Sequence, residues 1–440
     1  MNRRTFLGSS AAATVALSLA TPISRAAPSA NDKITICVTG VRGRGGSLLE
    51  TFAAIPEVTV KYVCDLDAQV LASRVAQVES KTGKKPQGIK DFRTALDDKS
   101  VDALVLGTPD HWHALPTIHA CQAGKDVYVE KPDGHNILEG LTMVAAAKKH
   151  SRIIQLGTQA RSDSGLFACM EWLKEGHLGK VRFAKAWESA KQGPVNRVPD
   201  SEPPKGFDYD TWLGPAPLRP FNARRFHGNW RWFFDYGTGD LGNDGVHRLD
   251  VARWALESAI AGEKKPAPGL PAQVAALGGK YYFDDAQEWP DTLMVTYNYA
   301  AGYLLTYEMR IWSPYSLHEE SEGAAVYGDN GYAIIGNTRW RAFDSKGKLL
   351  REEKRPTPDT AHAKNFLDCM RSRQAPNADL ATVGQPSSLL CHLGNAAWRA
   401  GRTLEFDLAT RQFKNDADAN KYITRSEYRK PWVLPTSEDV

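Results

Sequence analysis

Directly after an apolar run at residues 34–38, the chain reads Gly40-Val41-Arg42-Gly43-Arg44-Gly45-Gly46, and a helix-like stretch at 47–54 follows. Glycines at such a turn let backbone approach a pyrophosphate closely, while the helix N-terminus behind it offers N–H groups and a positive dipole. On the pattern G-x-G-x-x-G, Gly40 and Gly45 match and Arg42 takes the middle place. Gly40, Arg42, Gly43, Arg44 and Gly45 are therefore dinucleotide candidates, or else parts of a plain tight turn. Asp65 ends the next apolar run about 20 residues on, where a carboxylate accepts bonds from a ribose 2′-hydroxyl. That acid favours NAD over NADP, whose 2′-phosphate it repels, although Arg44 offers such a phosphate a partner.

Two more motifs close later apolar runs, Thr108-Pro109-Asp110-His111-Trp112-His113 and Glu130-Lys131-Pro132. In open α/β sheets ligands bind outside the carboxyl ends of strands, so Thr108, Pro109, His111, His113, Glu130 and Lys131 are candidates for cofactor contact. A lysine so placed can also bond a substrate hydroxyl and take part in proton transfer; a solvated turn lysine is the alternative. The stretch Phe226-His227-Gly228-Asn229-Trp230-Arg231-Trp232-Phe233-Phe234-Asp235 interleaves flat and polar side chains. Aromatic faces stack on the C–H faces of pyranose rings while Arg, Asp and His bond the hydroxyls, which makes His227, Trp230, Arg231 and Asp235 sugar-binding candidates. Ordinary core or interface packing competes with that reading. Gln159, on the cofactor side, and Arg161, Trp187, Arg310 and His318, on the substrate side, are further candidates, each with a structural alternative. His111, His113, His227, His247, Asp244 and Glu288 are possible metal ligands, but they form no H-E-x-x-H motif and no metal is expected. A Ser-His-Asp hydrolase lacks its G-x-S-x-G elbow.

Apolar runs at 34–38, 58–64, 103–106, 127–130 and 153–156 alternate with helix-like segments at 68–82, 113–123 and 137–150. This is the pattern of a doubly wound parallel sheet of Rossmann type. Past Gln159 come a helix-like 164–175, a strand-like 181–187 and a Pro-rich aromatic stretch at 193–232 with little periodicity. A loop that long within a compact domain is usually functional. Alternating segments at 293–299, 303–310, 324–327 and 332–335 predict an antiparallel sheet. Residues 360–401 read helical and are expected to pack back onto the first domain. The expected division is a signal at 1–30, a dinucleotide domain at 31–158, an α/β substrate domain at 159–360 and a returning helical segment with tail at 361–440.

Asn2-Arg3-Arg4-Thr5-Phe6-Leu7, the apolar 11–20 and the small residues around Ser24-Arg25-Ala26 have the parts of a twin-arginine export signal. The apolar run falls short of the roughly 20 residues a spanning helix needs, so cleavage near Ala26 is expected rather than anchoring. The implied location is the periplasm and the implied partner the twin-arginine export machinery. Removing the signal takes Arg3, Arg4 and Arg25 and no acid, so 55 basic residues become 52 against 51 acidic ones. A near-neutral chain argues against nucleic acid or an anionic membrane as partner. Twin-arginine export carries folded proteins, so the six scattered cysteines are expected as free thiols and the cofactor as tightly bound before export.

On Gly124-Lys125-Asp126-Val127-Tyr128-Val129-Glu130-Lys131-Pro132, Gly242-Asn243-Asp244-Gly245-Val246-His247-Arg248-Leu249-Asp250 and Asn365-Phe366-Leu367-Asp368, the chain resembles the glucose-fructose oxidoreductase/inositol dehydrogenase (Gfo/Idh/MocA) family over nearly all its mature length. The resemblance implies a Rossmann domain, then an α/β domain whose large open sheet makes homodimers or homotetramers. It also implies hydride exchange between a sugar-like carbon and nicotinamide, with Lys131 as a catalytic residue. The family commonly adds an aspartate four residues before a histidine. His247 fills the histidine place, but Asn243 holds the aspartate place and Asp244 follows it. Asparagine orients a substrate but takes no proton. Either Asp244 substitutes, or Lys131 and His247 suffice, or the reaction is altered. The leading expectation is oxidation of a secondary hydroxyl of a sugar or glycoside with retained NAD. The alternatives are an NAD-assisted, redox-neutral glycoside hydrolase or lyase, and a non-catalytic carbohydrate-binding protein.

Overall fold

A computed structural model describes residues 33–189, 191–436 and 439–440; the export-signal residues lie outside them. Six short strands, β1 (Ile34–Thr39), β2 (Val58–Cys64), β3 (Gln87–Ile89), β4 (Ala103–Leu106), β5 (Asp126–Val129) and β6 (Ile154–Leu156), form a parallel sheet in the order β3-β2-β1-β4-β5-β6. Every residue of β4 and β5 is buried, as strands covered on both faces must be. The cover comes from α1 (Gly43–Ala53), α2 (Ala68–Thr82), α3 (Arg93–Asp97), α4 (Ala114–Gln122) and α5 (Ile137–Lys149). Local chemistry sets their limits. The Asp67 carboxylate caps α2 by accepting from the N–H groups of Gln69 and Val70, and Gly83, at φ +70°, ends it. The strand order reverses between β1 and β4, so the Gly40 and Thr108 turns flank one crevice.

After α6 (Ser164–Lys174), β7 (Val181–Glu188) enters a second sheet, and the segment that follows carries α7 (Tyr209–Leu213), α8 (Gly239–Asn243) and α9 (Gly245–Gly262). The other strands are β8 (Gln273–Gly279), β9 (Thr292–Tyr299), β10 (Tyr303–Arg310), β11 (Glu322–Gly328), β12 (Gly331–Ile335), β13 (Arg339–Asp344) and β14 (Leu349–Lys354). Their order is β14-β13-β12-β11-β7-β10-β9-β8, antiparallel except for the parallel pair β7 and β10. Along β7 the side chains alternate: Ala184 and Ala186 join the core beneath α6 and α9, whereas Trp187 belongs to the opposite face. That outer face carries the ring stack Phe183, Tyr327, Tyr332 and Phe343.

The chain then returns. Helix α10 (Asp359–Ser372) lays Phe366 edge-on against Phe52 and Tyr128 of the first domain. Helix α11 (Gln385–Ala400) packs on α5, α9 and β8, and the tail ends with Trp432 and Val440 inside the first domain's core. All six cysteines are buried and unbridged. Among the described residues, no helix is long and apolar enough to cross a membrane.

Candidate active site

A cleft of about 290 Å³ opens over the crevice between β1 and β4. Its floor depends on three backbones that almost touch. A Cβ on Gly45 would lie 1.7 Å from the Gly40 carbonyl oxygen, and one on Gly107 would lie 2.5 Å from the Gly45 Cα. Gly40 itself has φ +75°, a left-handed backbone that favours glycine. Helix α1 therefore begins at Gly43, inside the glycine turn rather than at 47, and no side chain caps its N-terminus. A Cβ on Gly43, which lines the cleft, would meet nothing within 4 Å. Free N–H groups facing open space beside glycine suit a pyrophosphate, so the residues present fit a dinucleotide.

One end of the cleft is aromatic and fully braced. Asp65 accepts from the N–H of Val41 and of Asp67, both at 2.9 Å, and burial lifts its carboxyl above the ordinary value. Asp67 pairs with Arg42 at 2.6 Å, and His227 stands 3.5 Å from the same carboxylate. Phe92, Trp112, Trp212 and Trp432 complete this wall; Trp432 lies edge-on to Trp112 at 4.9 Å with the Arg93 guanidinium over it at 4.9 Å. Two carboxylates at the place for the ribose favour NAD. Arg44, the expected partner for a 2′-phosphate, is turned away to Glu130 (2.8 Å) and Asp359 (2.7 Å).

The other end is polar. Lys131 Nζ donates to Asn243 Oδ1 at 3.2 Å, and Asn243 Nδ2 donates to Asp244 Oδ2 at 3.1 Å. Asn243 closes α8, Asp244 is the joint and α9 brings half-buried His247 one turn further. Burial, with Lys131 and Arg248 nearby, pushes the His247 imidazole well below its usual pKa, so it is uncharged at neutral pH; of this group only Lys131 and Asn243 line the cleft itself. Behind them lies a carboxylate pair absent from the sequence reading. Asp240, on α8, accepts from Gln192 Nε2 at 3.1 Å, and its Oδ2 is buried without a hydrogen bond. Burial and the charge of Asp244 hold its carboxyl above the usual range, and burial with Asp240 and Glu322 does the same for Glu188. Arg231 Nε and Tyr307 Oη are also buried without hydrogen bonds.

Of the residues expected from sequence, the cleft brings together Gly40, Arg42, Gly43, Arg44, Asp65, Thr108, Pro109, Glu130, Lys131, Asn243, His227, Trp230 and Arg231. His227 stands at the Asp67 end of the cleft, 3.5 Å from that carboxylate, rather than beside Lys131. Several others have structural employment instead. Gly45 is the close-packing point just described. His111 Nε2 bonds the Trp212 carbonyl at 2.9 Å, and burial holds its pKa at about 3. His113 spans the Pro132 and Thr108 carbonyls at 2.7 and 2.9 Å, tying together the two loops that end β4 and β5. Gln159 Nε2 donates to Glu130 and to the Tyr128 hydroxyl, fixing the carboxylate that holds Arg44.

On the substrate side, buried Arg161 is consumed by Asp250 (2.8 Å) and by the Trp254 ring. Asp235 pairs with Arg219 at 2.7 Å and faces a different cavity. The strand period puts Trp187 and Arg310 on the outer face of the second sheet, where Trp187 donates to the Glu320 carbonyl and Arg310 pairs with Glu308. His318 bonds the Tyr327 hydroxyl on that same face. Glu288 accepts from Phe234 N–H and pairs with Arg219. Among the described residues no group of three or more His, Cys, Asp or Glu is arranged to hold a metal. Sequence reasoning missed Gly107, Phe92, Trp432 and Asp240. Only Asp240 carried a local signal, an acid one turn before Asn243.

Comparison with known proteins agrees with this architecture. Residues 40–158 match the family model described as "Oxidoreductase family, NAD-binding Rossmann fold", and residues 181–434 match "Oxidoreductase family, C-terminal alpha/beta domain". A glycosyl hydrolase family 109 protein of Saccharopolyspora erythraea is 31% identical over 160 residues, which cover 35% of this chain and 34% of that protein. The match thus spans about a third of that curated relative. Aldose-aldose oxidoreductase from Caulobacter crescentus, crystallised with glycerol, shares the fold at TM-score 0.64 and 18% identity, covering 85% of this chain and 100% of the other. The WlbA dehydrogenase from Bordetella pertussis, in complex with NADH and UDP-GlcNAcA, does so at TM-score 0.63 and 18% identity, covering 86% and 99%. By both of its domains, the chain belongs to the Gfo/Idh/MocA oxidoreductase family, an NAD-binding Rossmann domain joined to that family's C-terminal α/β domain.

Proposed function

We propose that the chain oxidises a secondary hydroxyl of a sugar or glycoside with NAD that it keeps bound, in the periplasm. The observation that carries this reading is the Lys131–Asn243–Asp244 chain at the polar end of the cleft, with uncharged His247 one turn beyond. Bound NAD supplies the hydride acceptor. Lys131 Nζ, fixed by Asn243, holds the substrate oxygen; His247, one turn beyond, relays the hydroxyl proton onward rather than keeping it; Trp230 and Arg231 receive the sugar. Retention is supported by the aromatic wall at the adenosine end and by the Arg3-Arg4 export motif, which implies a cofactor loaded before transport. The outer face of the second sheet, with its ring stack, is the surface for a homodimer or homotetramer.

A second reading is favoured by Asn243 and by the family 109 relative. A ketone formed beside an acidic ring C–H permits elimination or glycosidic cleavage, after which the hydride returns to the sugar and no net redox change remains. One experiment separates the two. Mature protein is purified, its dinucleotide released by denaturation and measured, and the native protein mixed with glycosides without oxygen. A persistent NADH absorbance is the result for net oxidation; product without net NADH is the result for the redox-neutral cycle. Absence of any released dinucleotide overturns both.

A further inference from the structure

The aromatic segment is a partition with a cavity on each side. Trp230 and Arg231 line the cleft, whereas Phe234 and Asp235 line a second cavity of about 340 Å³ closed by α11 and the tail. That volume lies within the roughly 300–1,000 Å³ range of small-molecule sites. Its chemistry is that of an anion receptor. The Arg399 guanidinium lies over the Phe234 ring at 4.7 Å and the Tyr422 ring at 4.8 Å, and no carboxylate pairs with it among the described residues. Arg425 donates from Nη1 to the Asp235 carbonyl at 2.8 Å and faces Glu139 at 3.5 Å through Nε, but its Nη2 has no hydrogen-bond partner, although only 5% of the side chain is exposed. The acids of the cavity are otherwise engaged or solvated: Asp235 pairs with Arg219, and Glu427 is exposed.

A third group specifies more than charge. His135 Nε2 lies 2.7 Å from the Phe234 carbonyl and must donate to it, while Nδ1 is buried without a partner. Burial and Arg425 keep this imidazole uncharged, so Nδ1 is a lone-pair acceptor that awaits a hydroxyl. We propose that this cavity is a second ligand site, taking a small hydroxylated carboxylate whose carboxyl group meets Arg399 and Arg425 Nη2 and whose hydroxyl donates to His135 Nδ1. A planar carboxylate matches two guanidinium edges better than a point-charge partner does. The proposal does not depend on the reaction in the cleft.

Isothermal titration of the full mature protein with D-gluconate and D-glucuronate tests it, with D-glucose and sulfate as controls. At least one sugar acid should bind saturably, about ten-fold or more weaker in Arg399→Gln, and unchanged in Lys131→Ala, which alters only the cleft. Arg399→Lys keeps the charge and the stem and should recover part of the loss, which separates recognition from misfolding. Three results would overturn the site: no saturation by about 10 mM of either acid, sulfate binding as tightly as the acids, or full affinity in a folded Arg399→Gln protein.

Discussion

The two ends of the cleft are built on opposite principles. At the adenosine end the acids already have their partners: Asp65 holds two backbone N–H groups, Asp67 holds Arg42, and Trp432 is wedged between Trp112 and Arg93. At the Lys131 end, Arg231 Nε, Asp240 Oδ2 and Tyr307 Oη are buried without hydrogen bonds. Unsatisfied buried polar atoms cost about 1–3 kcal/mol each, so they persist where something else is gained. One end is finished before any ligand arrives and serves to hold. The other keeps buried polar atoms without partners, and it is where the proposed reaction is placed.

The largest test of this contrast is Lys131→Ala, which should keep its dinucleotide and lose turnover by about 10²–10⁴-fold. Wild-type turnover in that variant refutes the assignment of the reacting end. Gly107→Ala attacks the floor that both ends share. Its Cβ would fall 2.5 Å from the Gly45 Cα, and thermal unfolding should show a loss of about 2–3 kcal/mol together with weakened dinucleotide retention. Trp432→Ala touches only the holding end. Dinucleotide should dissociate about ten-fold more readily, with kcat unchanged at saturating cofactor; a fall in kcat would merge the two ends.

The smallest effect belongs to Asp240→Asn and carries a pH signature. The folded carboxyl is raised by burial and by Asp244, so below the unfolded pKa, about 4, both states hold the proton and no penalty exists. As pH rises from there toward the folded value, the unfolded chain releases its proton first and the native protein loses stability. Asparagine removes that loss. The variant should therefore be more stable by about 1 kcal/mol near neutrality and indistinguishable near pH 4. Melting curves at the two pH values decide it.

The sequence revealed the loops that end the strands better than the residues that reach the cleft from elsewhere, for a physical reason. Strands β2 and β4 coincide with their apolar runs and helix α2 with its helix-like segment, and loops that directly follow such strands are brought to the crevice by topology alone. Gly40, Asp65, Thr108 and Lys131 were legible on that ground. Helix α1 was placed too late because Gly43 and Gly45 are poor helix formers, and close packing overrides propensity there. β3 is three residues long, and β14, Leu349–Lys354, is a charged edge strand, so neither has an apolar alternation to detect. Arg161, Trp187 and Arg310 were misassigned because side-chain type reveals neither a partner such as Asp250 nor the face of a strand. Trp432 reaches Trp112 across more than 300 positions of chain, which no local pattern records.

The tail has a mechanical consequence as well. The chain leaves the first sheet after β6 for the second, returns to the first as α10, crosses again to lay α11 under β8, and comes back to bury Trp432 and Val440. The first domain therefore owns core that comes, by sequence, from beyond the second sheet. Neither can be excised along a single linker, and a gaping hinge would have to peel α10 or the tail from its bed. Such lacing predicts that the two domains melt in one transition and open by local fraying rather than by swinging apart.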